Sequence, residues 1–514
     1  MKKYIVMLMA MACLSLNANA ITNPILPGFY PDPSICRVGN DYYLVNSSFC
    51  YFPGVPIFHS TDLMHWQQIG NVLDREEQLP LKGATPWLGI YAPTIRYHEG
   101  LFYMITTNVG NGGNFFVTAA DPRGPWSSPI WLKQGGIDPS LYWEDGRCYM
   151  CSNPDDGIWL CEIDDKTGQQ LTESRLLWRG DGGRYPEAPH IYKKDGYYYL
   201  MIAEGGTEMG HSETIARSRN IYGPYESNPN NPILCHQRQQ TQGSAIQGTG
   251  HADLVETADG KWWMVCLAFR PQGGLHILGR ETFLAPVEWK DGWPVVNGNG
   301  TVPDTLPSTC SRTNTIQNPQ NLQNPQILQN LQNSQNLQNS FQWLYLRNPH
   351  KENYKFKDGS LTMRGGCALE DENDSPSFYG VRQTAFDFTL TADVLPEKGC
   401  QAGLSVFMKE DGHYDLLYDG EYIYLTYRLG RILHTAAKVS LASSQGVRMK
   451  VVGNKDCYTF FYAQSGSEDW HQLDAVDTRF ISTETIGGFT GVILALHAKG
   501  DGKATFCNYS LTNK

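Results

Sequence analysis

The stretch DPSICRVGNDYYLVNSS, residues 32–48, reads as a short strand, a glycine-containing turn and a second strand rich in aromatic and aliphatic side chains. This pattern predicts a β-hairpin. The same pattern recurs in APTIRYHEGLFYMITTN (92–108), DPSLYWEDGRCYMCSN (138–153), APHIYKKDGYYYLMIAEG (188–205) and HADLVETADGKWWMVCLAF (251–269). Five copies of one supersecondary unit indicate a repeat architecture.

Each of these hairpins is followed by a second, weaker one, such as HSTDLMHWQQIG (59–70) or GRETFLAPVEWKDGWPVV (279–296). Two hairpins per repeat give four strands, which is one blade of a β-propeller. No segment of useful length has a helical period that competes with this interpretation. The sequence therefore predicts an all-β fold whose first domain, residues 21–306, is a five-bladed β-propeller.

Residues 1–20 are predicted to be a secretory signal peptide, because two lysines precede an apolar run that ends at a small-residue cleavage site. Secretion to the periplasm is expected. A lipoprotein is the less favoured alternative, since Cys13 lies inside the apolar run. No later stretch approaches the ~20 apolar residues of a membrane span.

The composition changes after the fifth repeat. Residues 307–340 are predicted to form a Gln/Asn-rich linker, because 317–340 consist largely of Gln-Asn-x triplets whose period fits neither helix nor strand. Residues 341–514 alternate at period two between turn signals, as in TAFDFTLTADVL (384–395). They predict a second all-β domain, a sandwich. The formal charge of −11 argues against nucleic acid as a partner. The oligomeric state stays open.

Three acidic residues follow the repeat. In a propeller the inner strands start around one central axis, so the first positions of the repeats face one another. Asp32 and Asp138 occupy that position in repeats one and three, and Glu187 directly precedes it in repeat four. Pro186 and Pro189 flank Glu187 and favour extended backbone at the start of its strand. We therefore expect three carboxyl groups to converge at one end of the axis.

Such a cluster has two chemical interpretations. Carboxylates together with His251 could hold a hard cation such as calcium through oxygen ligands and waters. Alternatively, two carboxyl groups on opposite sides of a glycosidic bond hydrolyse it, one as proton donor and one as the base that activates water. A third carboxylate nearby would raise the pKa of the donor and keep it protonated near neutral pH.

The ordered motifs GIYAPTIRY (89–97), GIDPSLYW (136–143), YPEAPHIYKKDGYYYLM (185–201), GHADLVE (250–256) and LGRETFLAPVEWKDGWPVV (278–296) resemble glycoside hydrolase family 43. The likeness is strongest to its two-domain β-xylosidase and α-L-arabinofuranosidase branch, and it covers the mature chain except the linker. It implies a catalytic propeller with inversion of configuration. It also implies that Asp32 is the general base, Asp138 the acid that tunes a pKa, and Glu187 the general acid.

The resemblance implies further sugar-binding positions. Arg280 corresponds to a sugar-binding arginine, with a salt bridge inside blade five as the alternative. His251 corresponds to the histidine at the hub, which in relatives contacts an ion, a water or the surroundings of the sugar; simple packing is the alternative. Phe49 and Tyr91 correspond to aromatic residues that line the sugar sites, although isolated aromatics among strands are usually core residues. Many relatives carry tryptophan where Tyr91 stands.

The second domain resembles the concanavalin A-like sandwich of the same branch. In relatives, a loop like GGFTGV (487–492) narrows the propeller opening to a pocket, which would place Phe489 near the substrate. His497 stands where relatives have an acid, so an ion site in that domain is in doubt. No cofactor is expected, and a structural calcium ion is possible.

The leading hypothesis is an exo-acting glycosidase that removes terminal β-D-xylosyl or α-L-arabinofuranosyl groups from neutral plant-derived oligosaccharides. An endo-arabinanase of the same fold is less favoured, because a capping second domain would obstruct a through-going cleft. A non-catalytic glycan-binding propeller is the rival of another class. The presence of all three acids favours the enzyme.

Overall fold

The computed structural model describes residues 21–237, 244–306, 337 and 341–514. The predicted signal peptide lies outside these residues, and so does the predicted linker except for Leu337. Of the described helices, none is long and apolar enough to cross a membrane.

The first part of the chain forms five antiparallel sheets in succession, which confirms the predicted propeller. The first sheet contains β1 (Ser34–Val38), β2 (Asp41–Val45), β4 (Gly54–Ser60) and β5 (Gln67–Leu73); the short strand β3 (Tyr51–Phe52) lies outside it. The second sheet contains β6 (Gly89–Ile90), β7 (Thr94–His98), β8 (Leu101–Val109), β9 (Gly113–Ala119) and β10 (Ile130–Trp131). The third sheet contains β11 (Ile137–Glu144), β12 (Arg147–Asn153), β13 (Ile158–Ile163) and β14 (Arg175–Trp178).

The last two blades keep the same order. They contain β15 (Glu187–Lys194), β16 (Tyr197–Glu204), β17 (Ser212–Ser218) and β18 (Glu226–Ser227), followed by β19 (Gln247–Glu256), β20 (Trp262–Phe269), β21 (Glu281–Lys290) and β22 (Trp293–Val296). The segment after residue 20 closes the ring, because Leu26 exchanges backbone hydrogen bonds with Thr282 of blade five. This closure joins the beginning of the domain to its last blade.

Apolar side chains pack between neighbouring blades, which explains why inner strands are buried on both faces. One such layer joins Leu160 of blade three to Ile191 and Leu200 of blade four. Another joins Met201 of blade four to Met264 of blade five. Burial of this apolar area between sheets is the dominant favourable term for such a fold.

The second part of the chain is a sandwich of two antiparallel sheets with one shared core. The seven-stranded sheet has the order β24 (Tyr354–Lys357), β25 (Ser360–Arg364), β36 (Lys503–Asn513), β27 (Phe388–Pro396), β32 (Val447–Gly453), β33 (Cys457–Gln464) and β34 (His471–Asp477). The six-stranded sheet has the order β26 (Ser377–Arg382), β35 (Ile493–Gly500), β28 (Cys400–Lys409), β29 (Gly412–Tyr418), β30 (Tyr422–Leu429) and β31 (Ile432–Ser440).

Three short helical segments lie in this part of the chain. They are the 3-10 turns Lys351–Asn353 and Thr478–Ile481 and the α-helix Thr483–Ile486, which leads into the loop 487–492.

The two domains pack against each other over a common apolar core. Strand β23 (Tyr345–Leu346) pairs with β3 of blade one. Phe378, Phe407 and Ile493 of the sandwich belong to the same buried cluster as Phe49 and Tyr51 of the propeller. Because the core is shared, removal of the sandwich would expose buried apolar side chains of the propeller.

Candidate active site

The inner strands begin at the propeller axis with a distorted backbone. Asp32, Asp138, Ala188 and His251, which share the first position of the repeat, all have φ between 48° and 55°. A non-glycine residue in this left-handed region is uncommon and costs energy. In blades three, four and five the strand register shifts at this point. The repeat therefore sets the same unusual turn at the hub in four blades.

Asp32 is buried and held from three sides. Arg280 Nη1 donates to its Oδ1 at 2.7 Å, and Arg280 Nη2 lies 3.5 Å from its Oδ2. The Ser47 hydroxyl donates to Oδ2, and His251 Nδ1 lies 3.7 Å from Oδ1. Arg280 is therefore the ion-pair partner of an acid from another blade, in place of a salt bridge confined to blade five.

Glu187 lies at the start of β15, half-buried near the charge of Asp32. Burial and the negative charge of Asp32 raise the pKa of Glu187 from 4.5 to about 7, although the Arg280 guanidinium acts in the opposite direction. A carboxyl group with this pKa is about half protonated at neutral pH, whereas an ordinary glutamate is almost fully ionised there. This is the property that a proton donor to a glycosidic oxygen needs.

Asp138 is buried beside Glu187. Its Oδ2 accepts a hydrogen bond of 3.2 Å from the backbone N–H of Ala188, the residue after the proposed acid. Burial and the charges of Glu187 and Asp32 raise the pKa of Asp138 well above its usual range. The sequence predicted that the charge of Asp138 raises the pKa of Glu187. In the structure, burial is the first cause of the raised pKa and the charge of Asp32 is the second.

His251 is buried next to this cluster. Burial lowers its pKa, while the charge of Asp32 acts in the opposite direction. Its imidazole is therefore neutral near pH 7, with Nδ1 turned toward Asp32. No three of the described His, Cys, Asp and Glu side chains form a group that could hold a metal ion. The expected calcium ion therefore has no ready set of side-chain ligands there, and it stays a prediction.

Aromatic rings form a wall beside the acids. Phe49 packs against Tyr91 and Phe489 with ring centroids 5.1 and 5.7 Å apart. The Arg280 guanidinium lies 5.6 Å from the rings of both Phe49 and Phe489. Burial and the negative charge of Asp138 raise the pKa of Tyr91 to about 12, which places the Tyr91 hydroxyl near the acids. The wall thus contains the three aromatic residues selected from the sequence.

Trp87 joins this wall and was not selected from the sequence. Its indole ring lies 4.8 Å from that of Phe489 in an edge-on arrangement, and 42% of the residue is exposed. The Tyr91 hydroxyl donates to the Trp87 carbonyl at 2.5 Å. A side chain at Gly487 would collide with the indole, so the glycine allows the sandwich loop to reach the wall. The only signal for Trp87 in the sequence is that WLGIY (87–91) directly precedes Ala92, the first position of the second repeat.

The sandwich loop that carries Phe489 is fixed to the propeller through backbone bonds. Phe489 N–H donates to the Pro86 carbonyl at 3.0 Å, and Val492 N–H donates to the Ile277 carbonyl at 2.9 Å. His276 Nδ1 also lies 2.6 Å from a carboxylate oxygen of Glu484. These contacts hold Phe489 in the aromatic wall beside the acids; that the loop narrows an opening for substrate stays a prediction.

A buried polar network ties the inner strands together below the acids, and sequence reasoning missed it. Arg96 contacts both carboxylate oxygens of Asp253, at 2.7 and 3.1 Å. Asp253 also accepts from the hydroxyls of Ser34 and Tyr192, each at 2.7 Å. Arg96 Nη2 lies 2.9 Å from His190 Nδ1. Four of the five blades thus meet in one satisfied network, which rigidifies the floor of the site.

Family models match both parts of the chain. The model of glycosyl hydrolases family 43 matches residues 21–294. A model described as the beta xylosidase C-terminal concanavalin A-like domain matches residues 334–510. The two matches cover the propeller and the sandwich respectively.

Individual proteins are similar over nearly the whole chain. The non-reducing end alpha-L-arabinofuranosidase of Bacteroides ovatus is 40% identical over 96% of this chain and 94% of that protein. A xylosidase/arabinosidase of Butyrivibrio fibrisolvens is 40% identical over 95% of this chain and 98% of that protein. A solved structure described as Bacteroides ovatus Xyloglucan PUL GH43B superimposes with a TM-score of 0.87 at 39% identity, over 96% of this chain and 100% of that one.

Proposed function

Because the chain belongs to glycosyl hydrolases family 43 and is a glycoside hydrolase, we propose that it removes single terminal pentosyl groups, β-D-xylosyl or α-L-arabinofuranosyl, from plant-derived oligosaccharides. The names of the two relatives at 40% identity cover both sugars. The two pentoses present similar hydroxyl patterns, so one small pocket can accept both.

One observation supports the proposal: the three acids at the hub lie beside an aromatic wall to which the sandwich contributes Phe489, and we infer that this ring narrows the site. Asp32 is linked through Arg280 to Phe489 of the loop 487–492. A site narrowed in this way fits the end of a sugar chain. An endo-acting enzyme needs a cleft that is open at both ends, and the position of Phe489 argues against one.

The proposed reaction is a direct displacement by water at the anomeric carbon. Glu187 gives its proton to the glycosidic oxygen while the bond from that oxygen to carbon 1 breaks. A water molecule attacks carbon 1 from the opposite face, and its proton passes to Asp32. The arrangement requires no cofactor. The product sugar has the inverted configuration.

Arg280 and Asp138 support these two acids in the proposed mechanism. Arg280 orients the Asp32 carboxylate through a charged hydrogen bond, which is stronger than a neutral one. Asp138 fixes the backbone at Ala188 and thereby the direction of Glu187. Both contributions are positional, and such positioning accounts for a large part of enzymatic rate enhancement.

The proposal is tested with nitrophenyl glycosides: β-D-xyloside, α-L-arabinofuranoside and, as a comparison, β-D-galactoside. We expect turnover of one or both pentosides and little of the galactoside. The double variant Asp32→Ala, Glu187→Ala is the matched inactive control. If neither the pentosides nor short xylo- and arabino-oligosaccharides are cleaved, the chain is a binding propeller instead.

Stereochemistry tests the mechanism separately. Inversion requires room for a water molecule, so the carboxyl groups of Asp32 and Glu187 should lie roughly 6.5–9.5 Å apart in a substrate complex. Proton NMR of the freshly released pentose should show the inverted anomer first. Release of the retained anomer would contradict the roles given to both acids.

We also propose that the protein acts in the periplasm after removal of residues 1–20. The basis is the sequence of that segment alone. Amino-terminal sequencing of the protein recovered from a periplasmic fraction should begin at Ile21. Recovery of the unprocessed chain from the cytoplasm would contradict this part of the proposal.

A further inference from the structure

Tyr185 is an exposed ring next to the proposed acid. It is 61% exposed, more than any other large aromatic side chain of the described residues. Its backbone has φ of 54°, which a bulky side chain adopts only at a cost in energy. The surrounding structure must therefore hold the residue in place, and strain of this kind is concentrated at binding and catalytic sites.

The loop before Tyr185 is held by a buried carboxylate. Glu204 accepts hydrogen bonds from the backbone N–H groups of Asp181, at 3.0 Å, and Gly183, at 2.8 Å. It also accepts from the Thr214 hydroxyl at 2.6 Å. A side chain at Gly183 would lie 2.7 Å from Cβ of Glu204, so only glycine fits this turn. Hydrogen bonds to the buried Glu204 carboxylate therefore fix the conformation of the loop that carries Tyr185.

The Tyr185 ring itself is oriented from one side. The Arg184 guanidinium lies 5.3 Å from its centroid. Arg184 Nη2 in turn lies 3.2 Å from the Gly205 carbonyl and 3.1 Å from a carboxylate oxygen of Glu208. The edge of the ring meets the backbone at Gly206, where an added Cβ would be 3.0 Å away. These contacts leave most of the ring free for a ligand.

The position of Tyr185 relative to Glu187 decides what that ligand is. Two residues of extended chain span at most about 7 Å, so the ring is anchored within that distance of the proposed proton donor. The proton donor faces the glycosidic oxygen and hence the sugar that leaves. Asp32 and its water lie on the other face of the scissile bond. Tyr185 is therefore on the side of the leaving sugar.

We propose that Tyr185 is the platform on which the sugar ring of the leaving oligosaccharide packs during cleavage. This inference rests on the proposed function. The apolar C–H face of a pyranose fits an aromatic ring, and tyrosine provides a large rigid contact area at a low cost in conformational entropy. The terminal pentose is then bound in the pocket, and the next sugar is bound by Tyr185.

The test compares substrates with and without a leaving sugar. For the pentose that the enzyme accepts, kcat/KM is measured on the disaccharide and on the glycosyl fluoride, whose leaving group is a single atom. Tyr185→Ala should lower the ratio of the disaccharide value to the fluoride value roughly ten-fold, a factor that corresponds to about 1.4 kcal/mol. Tyr185→Phe, which keeps the ring, should retain most of the ratio.

Tyr97→Ala is the matched control. Tyr97 is a 40% exposed tyrosine near the end of the inner strand of blade two, on the order of 15 Å along the strand from the hub. The variant Tyr97→Ala should leave kcat/KM unchanged on both the disaccharide and the glycosyl fluoride. An equal loss on both substrates for Tyr185→Ala, or no loss on either, overturns the inference. Failure of the unaltered enzyme to cleave the fluoride and the glycosides refutes the proposed function itself, independently of Tyr185.

Discussion

The guanidinium of Arg280 donates a hydrogen bond of 3.3 Å to the backbone carbonyl of Phe489, 209 residues away in the chain. The same guanidinium donates to Asp32 at 2.7 Å. One propeller side chain therefore contacts both the proposed base and the sandwich loop that carries Phe489. The orientation of the base and the position of the loop are coupled through it.

This coupling predicts that the sandwich contributes to activity. Phe489→Ala removes the ring that packs against Phe49, Trp87 and Tyr91, so kcat/KM on the aryl pentoside should fall roughly ten- to a hundred-fold, which corresponds to about 1.4–2.7 kcal/mol. Phe480→Ala, at a 46% exposed position in the neighbouring 3-10 turn, is the control and should have no effect. Equal losses for the two variants would show that the ring has no special place at the site.

Substitutions of Arg280 should separate its charge from its geometry. Because the Arg280 guanidinium lowers the pKa of Glu187, Arg280→Met should raise that pKa and move the high-pH limb of kcat/KM to higher pH. Arg280→Lys keeps the charge and should leave the limb near its original position. Both variants should lose rate, since neither forms the paired contact with Asp32. A downward shift of the limb in Arg280→Met would contradict the assignment of Glu187.

The roles proposed for Glu187 as proton donor and Asp32 as base predict different responses to the leaving group. Glu187→Ala removes the proton donor, and its loss of rate should be smaller on a nitrophenyl pentoside, whose phenol leaves readily, than on an oligosaccharide. Asp32→Ala removes the group that activates water, and it should be inactive on both substrates. Steady-state kinetics on the two substrate classes decide the matter. If Glu187→Ala and Asp32→Ala lose rate by the same factor on the nitrophenyl pentoside and on the oligosaccharide, the proposed roles are wrong.

Asp138→Asn tests how the third acid acts. Burial and the charge of Asp32, and not a charge on Asp138, raise the pKa of Glu187 to about 7, so a neutral amide at position 138 should leave the high-pH limb near that pH. The rate should fall, since the amide changes the contact with the Ala188 N–H. A limb that moves to lower pH would show that a negative charge on Asp138 raises the pKa of Glu187.

Glu187 should also lower the stability of the enzyme at alkaline pH. Its pKa is 4.5 in the unfolded chain and about 7 in the folded one, so its contribution to folding is fully present below pH 4.5 and is lost as the pH rises through 7. Glu187→Gln stays neutral. The unaltered protein should therefore lose stability between pH 5 and pH 8 relative to the Glu187→Gln variant. The free energy of unfolding of the variant minus that of the unaltered protein should grow by on the order of 2–3 kcal/mol over this range.

Denaturant unfolding at the two pH values measures this difference. Glu352→Gln, at an exposed position of the sandwich, is the matched control and should show none. If the difference in free energy of unfolding between Glu187→Gln and the unaltered protein does not change with pH, the pKa of Glu187 is not raised in the folded protein.

The sequence by itself determined the blades and where the acids converge. Strand alternation and turn chemistry act over a few residues, so each repeat specifies its own hairpin wherever it lies in the chain. The equivalence of the repeats then places Asp32, Asp138 and Glu187 around one axis without any knowledge of packing. The same local rules identified the sandwich.

Only the tertiary structure decided which side chains meet. Asp32 and Arg280 are 248 residues apart, and the Arg96–Asp253 pair joins positions 157 residues apart. No local period encodes such contacts, because they depend on how blades close into a ring and how the sandwich docks on it. The pKa of Glu187 belongs to this second class, since it arises from burial and from a charge on another blade.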